Sequence, residues 1–193
     1  MIASGQQRNS LRDVRQIDFR DFQLPWASAT RSDFPQFRWL TRFDATVQLK
    51  DGTHTFGSAN ECGRSCPELA LTGIQYADVN QDAVADAIIT LTYQTGGTGH
   101  WEYIYLYVIE KGSPKLLASF QTGSRLGHGL HRVYVGNGDL VVELNEPDDN
   151  EGECCATWRT RTEYRWHNDH FEAVSQPVKE QIPAHERTWY VIR

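Results

Sequence analysis

The chain has 193 residues, a formal net charge of −6, 39% apolar residues and 23% charged residues. That composition feeds a packed core and excludes a disordered chain, and the length suits one domain. No apolar run approaches the ~20 residues of a membrane-crossing helix, and the acidic balance argues against nucleic acid, whose binders carry a basic patch. Arg8, Arg12, Arg15 and Arg20 form a loose basic strip, but Asp13, Asp18 and Asp21 dilute it.

Residues 1–15 read as a polar N-terminal arm and 16–193 as a single β-rich domain. Met1–Ser10 lacks the apolar run of a secretory leader. That fits a cytoplasmic chain or a mature form whose leader has been removed. In chain order, "FRDFQLPW" alternates apolar and polar residues until Pro25, as a short strand does, and "FPQFRWL" fits strand or turn. "ATVQLKDGTHTF" reads as strand, turn, strand, with Asp51-Gly52 as the tight-turn dipeptide. Ala59–Pro67 is a loop, and "CPELALTG" is expected to open a short helix at Pro67, since proline fits a first helical turn. Ala87–Tyr93 and Trp101–Ile109 are strands, "EKGSPK" breaks the pattern, and Leu116–Phe120 resumes it. "HRVYVGNGDLVVEL" is a hairpin turning at Gly136–Gly138, and "TRTEYRWHNDHFEAV" another turning at Asn168-Asp169. Closely spaced hairpins without β-α-β alternation predict a mainly β fold: an antiparallel meander forming a curled sheet or sandwich with a few short helices.

The four cysteines are Cys62, Cys66, Cys154 and Cys155. Buried free thiols are one reading. Zinc is a poor one, because adjacent residues of an extended chain point opposite ways. Disulfides are the third, either from Cys154 or Cys155 to the 62–66 loop or within the first pair. The long connection would close roughly ninety residues, worth about 4–5 kcal/mol in the chain-entropy model. Disulfides favour an oxidising compartment, periplasmic or secreted, and so the mature-form reading.

"YADVNQDAVADAIITL", "YIYLYVIEKGSPKLLASF", "LVVELNEP" and "CCATWRTRTEYRWHNDHFEAV" together resemble a group of uncharacterised bacterial secreted β-domain proteins. The acidic loop in the first resembles those of FG-GAP-type repeats and of the LppP/LprE lipoproteins. The likeness spans about residues 74–174, and the chain has no lipobox. The resemblance implies an extracytoplasmic β domain and leaves the activity open.

Asp78, Asn80, Asp82, Val84 and Asp86 are spaced D-x-N-x-D-x-x-x-D. Side chains at alternate loop positions can supply the six to eight oxygens that calcium takes, with a backbone carbonyl from Val84. Magnesium, with its small octahedral shell, fits less well. Ala83 stands where such loops place glycine, so a left-handed alanine is expected to weaken the site. The competing reading is an Asx-turn, in which these side chains accept the loop's own amides. Glu143, Glu146, Asp148, Asp149, Glu151 and Glu153 make up the densest acidic stretch. It is either a solvated loop or a docking surface for a basic partner, as in a small inhibitor or immunity-type protein. His128 and His131 form H-x-x-H, with Glu143 as a conceivable third ligand, in a Gly-rich segment where helical geometry is not given. "TGGTGH" joins strand to strand and lacks the lysine of a phosphate loop. The function expected is an extracytoplasmic, non-catalytic binding or structural domain. An unrecognised hydrolase using His128, His131 or Glu102 is the alternative.

Overall fold

The structure is a computed structural model, and it describes residues 11–27, 38–62, 65–97, 99–124, 129–146 and 156–186. It is mainly β, antiparallel throughout, and its sheets do not close into a barrel. The strands are β1 (Gln23–Trp26), β2 (Arg38–Trp39), β3 (Ala45–Gln48), β4 (Thr53–Thr55), β5 (Glu68–Ala77), β6 (Asp86–Gln94), β7 (His100–Glu110), β8 (Ser113–Ser124), β9 (Leu130–Gly136), β10 (Asp139–Glu146), β11 (Trp158–His167), β12 (His170–Ala173) and β13 (Val178–Gln181). A six-stranded sheet runs β2-β8-β7-β6-β5-β4. A five-stranded sheet runs β12-β11-β10-β9, with β13 also paired to β11. β1 and β3 form a separate two-stranded ribbon. No helix among the described residues is long and apolar enough to cross a membrane.

The alternation in β7 explains the layering. Trp101, Tyr103, Tyr105 and Tyr107 fall on one face, and Glu102, Ile104 and Leu106 on the other, and all are buried. A sheet apolar on both faces must be covered twice. The tyrosine face packs against Val14, Phe19, Leu24, Trp26, Val47 and Leu49 of the N-terminal segment and ribbon. The isoleucine face packs against Val133, Leu140, Val142 and Phe171 of the smaller sheet. The molecule is thus a sandwich with a third, partial layer. Trp39 joins the two sheets, stacking on Phe171 at 5.4 Å and meeting Phe120 edge-on at 5.1 Å.

Four tight turns have two consecutive residues at positive φ, the two-residue form that matches strand twist. They are Asp51-Gly52, Lys111-Gly112, Asn137-Gly138 and Asn168-Asp169. Three coincide with the expected turns. The fourth lies in "EKGSPK", which reads from sequence only as a break. The Asp51-Gly52 turn closes a single bridge, Lys50 to Thr53. Its flanking strands then part, β3 to the ribbon and β4 to the six-stranded sheet.

Three expectations change. "CPELALTG" is not a helix: β5 starts at Glu68 and pairs with β6 over its length, with one register shift between Leu71 and Gly73. A short apolar run suits either element, and here the ladder to β6 decides. The helical turn lies just before it, at Ala59–Cys62, where Glu61 accepts from both the N–H and the hydroxyl of Ser58 at 2.8 Å. Pro25 does not stop β1, because a two-stranded ribbon leaves an outer edge where the missing N–H is tolerated. Val14 is fully buried, and the Leu11 N–H donates to the Gly112 carbonyl, so packing begins within the segment read as a polar arm.

Candidate functional site

Loop 78–86 connects β5 to β6. Gln81 and Ala83 are held at φ +63° and +66°, so the left-handed alanine expected at position 83 is present. The loop folds onto its own side chains. Asp78 accepts from the amides of Asp82 and Ala83 at 3.1 and 2.9 Å. Asn80 accepts from Asp82 N at 3.1 Å, and Asp82 from Val84 N at 2.8 Å. The Asn80 amide also donates to the Asp82 carboxylate at 3.0 Å. Asp86 is buried and accepts from Val79 N at 3.0 Å. Burial first, then the charges of Asp82 and Asp78, push its carboxyl up to about 6. Val84 is exposed. Among the described residues, no group of three or more His, Cys, Asp or Glu side chains is gathered so as to hold a metal ion. The geometry is that of Asx-turns. The loop is also docked: Gln81 Nε2 donates to the Gly138 carbonyl, in the β9–β10 turn of the other sheet, at 2.9 Å. Beside it, Gln75 Nε2 donates to Val133 O at 3.1 Å. Two glutamines thus tie the neighbouring edges of the two sheets.

Cys62 and Cys66 form a disulfide with Cα atoms 4.8 Å apart. This realises the pairing within the first pair and rules out a cross-link from either residue to Cys154 or Cys155. Those two cysteines lie outside the described residues, as do His128, Asp148, Asp149, Glu151 and Glu153. Glu146 ends β10 and accepts from the Thr160 hydroxyl at 2.7 Å.

Glu143, weighed above as a third metal ligand, is fully buried and gripped by Arg132 through two hydrogen bonds of 2.6 and 3.0 Å. The Tyr134 hydroxyl donates to it at 3.3 Å, and Arg159 Nε stands 3.6 Å away. Burial works against its charge, but the Arg132 hydrogen bonds and the Arg132 and Arg159 charges outweigh it and hold the carboxyl below its usual range. A carboxylate so occupied is a structural anion rather than a ligand or base. His131 lies at the β9 bulge opposite Glu143 and Leu144. Burial lowers its affinity for a proton, against the pull of Glu143.

Around this core runs a charge ladder that sequence reasoning missed. Arg165 clasps Asp139 at 2.8 and 2.7 Å. Arg161 pairs with Glu163 at 2.5 Å, and Arg159 reaches Glu180 at 3.4 Å and Glu186 at 3.0 Å. The signal was present in "RTRTEYR": residues 159, 161, 163 and 165 alternate and so share one face of a strand.

Glu102 is buried at the end of the inter-sheet core. His100 Nε2 stands 3.6 Å from it. An open depression of about 290 Å³ lies elsewhere, lined by Arg165, His167, Glu172, Ala173 and Val174. It gathers neither Glu102 nor His131. No protein-family model matches this chain, and no curated protein or solved structure is significantly similar to it.

Proposed function

We propose that the chain is a non-catalytic binding or structural β domain of an extracytoplasmic, oxidising compartment, with loop 78–86 as a calcium-braced element. The observation that carries this reading is the shape of the loop. Left-handed residues at Gln81 and Ala83 curl its oxygen-bearing side chains inward, as a calcium loop requires at its sharp turn. An ionised carboxylate offers about four lone-pair sites, so an oxygen that accepts a loop amide keeps capacity for a cation. Three carboxylates repel one another across the loop, and their mutual field attracts a divalent ion.

The role is bracing, since the same loop holds the turn of the other sheet through Gln81. The compartment is supported by the Cys62–Cys66 bond, because disulfides persist where the surroundings are oxidising. The non-catalytic reading is supported by the fate of the buried acids Glu143 and Asp139, which neutralise arginines.

Calcium titration of EDTA-treated protein, followed by melting temperature, tests the brace. A ligand that binds only the folded state stabilises it by RT ln(1 + [L]/Kd). The melting temperature rises at millimolar calcium, rises less with magnesium, and stays put in Asp78→Asn. No rise in the wild type leaves a loop capped only by its own amides.

A further inference from the structure

A buried carboxylate ordinarily finds a cation or a set of strong donors. Glu102 of β7 is 8% exposed. It lies on the same face as Ile104 and Leu106, between the buried threonines Thr92 of β6 and Thr122 of β8. Its Oε2 accepts from Thr122 Oγ1 at 3.2 Å and from the Leu130 amide at 3.3 Å. Leu130 is the first residue of β9, so the second bond crosses from the larger sheet to the smaller one.

Among the described residues the charged and titratable groups around it are few. On its own strand His100 faces Oε1 at 3.6 Å, outside hydrogen-bond range, and an imidazole is charged only when protonated. β6 and β8 contribute Thr92 and Thr122, which do not titrate. On β9, Arg132 is committed to Glu143, and the His131 ring engages Glu143 and Asn145. Among the described residues no guanidinium or ammonium pairs with Glu102.

The geometry points to Glu102 as a proton-operated tie between the two sheets: neutral, it holds the start of β9 against β7 and β8; ionised, it admits water to the junction and loosens that end of β9. Ionisation strengthens the two hydrogen bonds, which works the other way. Burial is nevertheless the larger influence, and it pushes the carboxyl up to about 7 while the Leu130 and Thr122 bonds only moderate it. In the unfolded chain the group has its ordinary value of 4.5. The stabilisation from the bound proton is therefore complete below that value and lost as pH rises through about 7. Between those limits the closed form loses roughly two orders of magnitude against the open one.

Carboxyl carbon-13 NMR of the full chain, in EDTA from about pH 4 to 9, tests the tie together with amide exchange at Leu130. The Glu102 carboxyl is expected to titrate near neutrality. Leu130 protection, corrected for base-catalysed intrinsic exchange, falls at least about tenfold from about pH 5 upward and levels off once the Glu102 carboxyl has ionised. Glu102→Gln, which stays neutral, keeps its protection at alkaline pH. A Glu102 that titrates in the ordinary carboxylate range overturns the proposal. So does Leu130 protection indifferent to that titration, or lost equally in Glu102→Gln. Should the variant not fold, the wild-type titration and exchange decide by themselves.

Discussion

Glu143 and Glu102 are both strand glutamates removed from water, and the molecule treats them in opposite ways. Glu143, on the outer face of the smaller sheet, meets Arg132, Arg159 and the Tyr134 hydroxyl, and its carboxyl is held below the usual range. Glu102, at the junction of the sheets, meets a threonine hydroxyl, one backbone amide and an imidazole at 3.6 Å, and its carboxyl is pushed up to about 7. Burial is the leading influence on both. What separates them is whether a fixed positive charge answers it. A guanidinium fork converts a buried carboxylate into a fastening that ignores ordinary pH changes. Neutral donors leave it as a group that holds a proton.

Glu143→Ala leaves Arg132 and Arg159 facing a vacated buried site, and urea unfolding should report a loss of about 3 kcal/mol. Arg132→Met should cost less, about 1–2 kcal/mol, because Arg159 and the Tyr134 hydroxyl still face the Glu143 carboxylate. Equal losses would mean that Arg159 contributes nothing to holding the charge.

Opening the Cys62–Cys66 bond gives a smaller effect. It closes a short loop, for which the chain-entropy model gives about 2 kcal/mol. A paired Cys62→Ser and Cys66→Ser variant should lower the urea midpoint accordingly and leave the pH response of the sheet junction untouched. If that response shifts as well, the disulfide loop and the junction are coupled.

Gln81→Ala is the mildest change. It removes the 2.9 Å bond to Gly138, at about 1 kcal/mol. Its sharper readout is calcium: the variant should still bind, with a smaller gain in melting temperature than the wild type. An unchanged gain would show that the ion stiffens the loop without bracing the sheets.

Much of the fold was legible because its punctuation is chemical. Asp-Gly and Asn-Gly supply the positive φ that two-residue turns demand, and the alternation in 101–109 dictates a sheet buried on both faces. The left-handed alanine at position 83 was also readable, since calcium-type loops of this spacing turn sharply at that position. Pro67 misled because proline opens helices and also precedes strands, and only the ladder to β6 separates the two. Glu102 lies on the Ile104 and Leu106 side of its strand by simple alternation, so its burial could have been read from the sequence. Its surroundings could not, because Leu130 arrives from the other sheet. The charge ladder was hidden for the same reason: a face becomes legible only when its partners across strands are known, and Arg132, Glu143 and Arg159 come from three different strands.

The most direct test of the account is the difference in unfolding free energy between Glu102→Gln and the wild type, measured in EDTA at about pH 5 and again at about pH 8. Taking the difference cancels the histidines and carboxylates remote from residue 102, which titrate alike in both proteins. The variant is expected to gain on the wild type by about 2–3 kcal/mol between the two conditions, as the wild type alone comes to bury a charge. A difference that stays constant between them would contradict this expectation, and would mean that Glu102 is as well answered as Glu143.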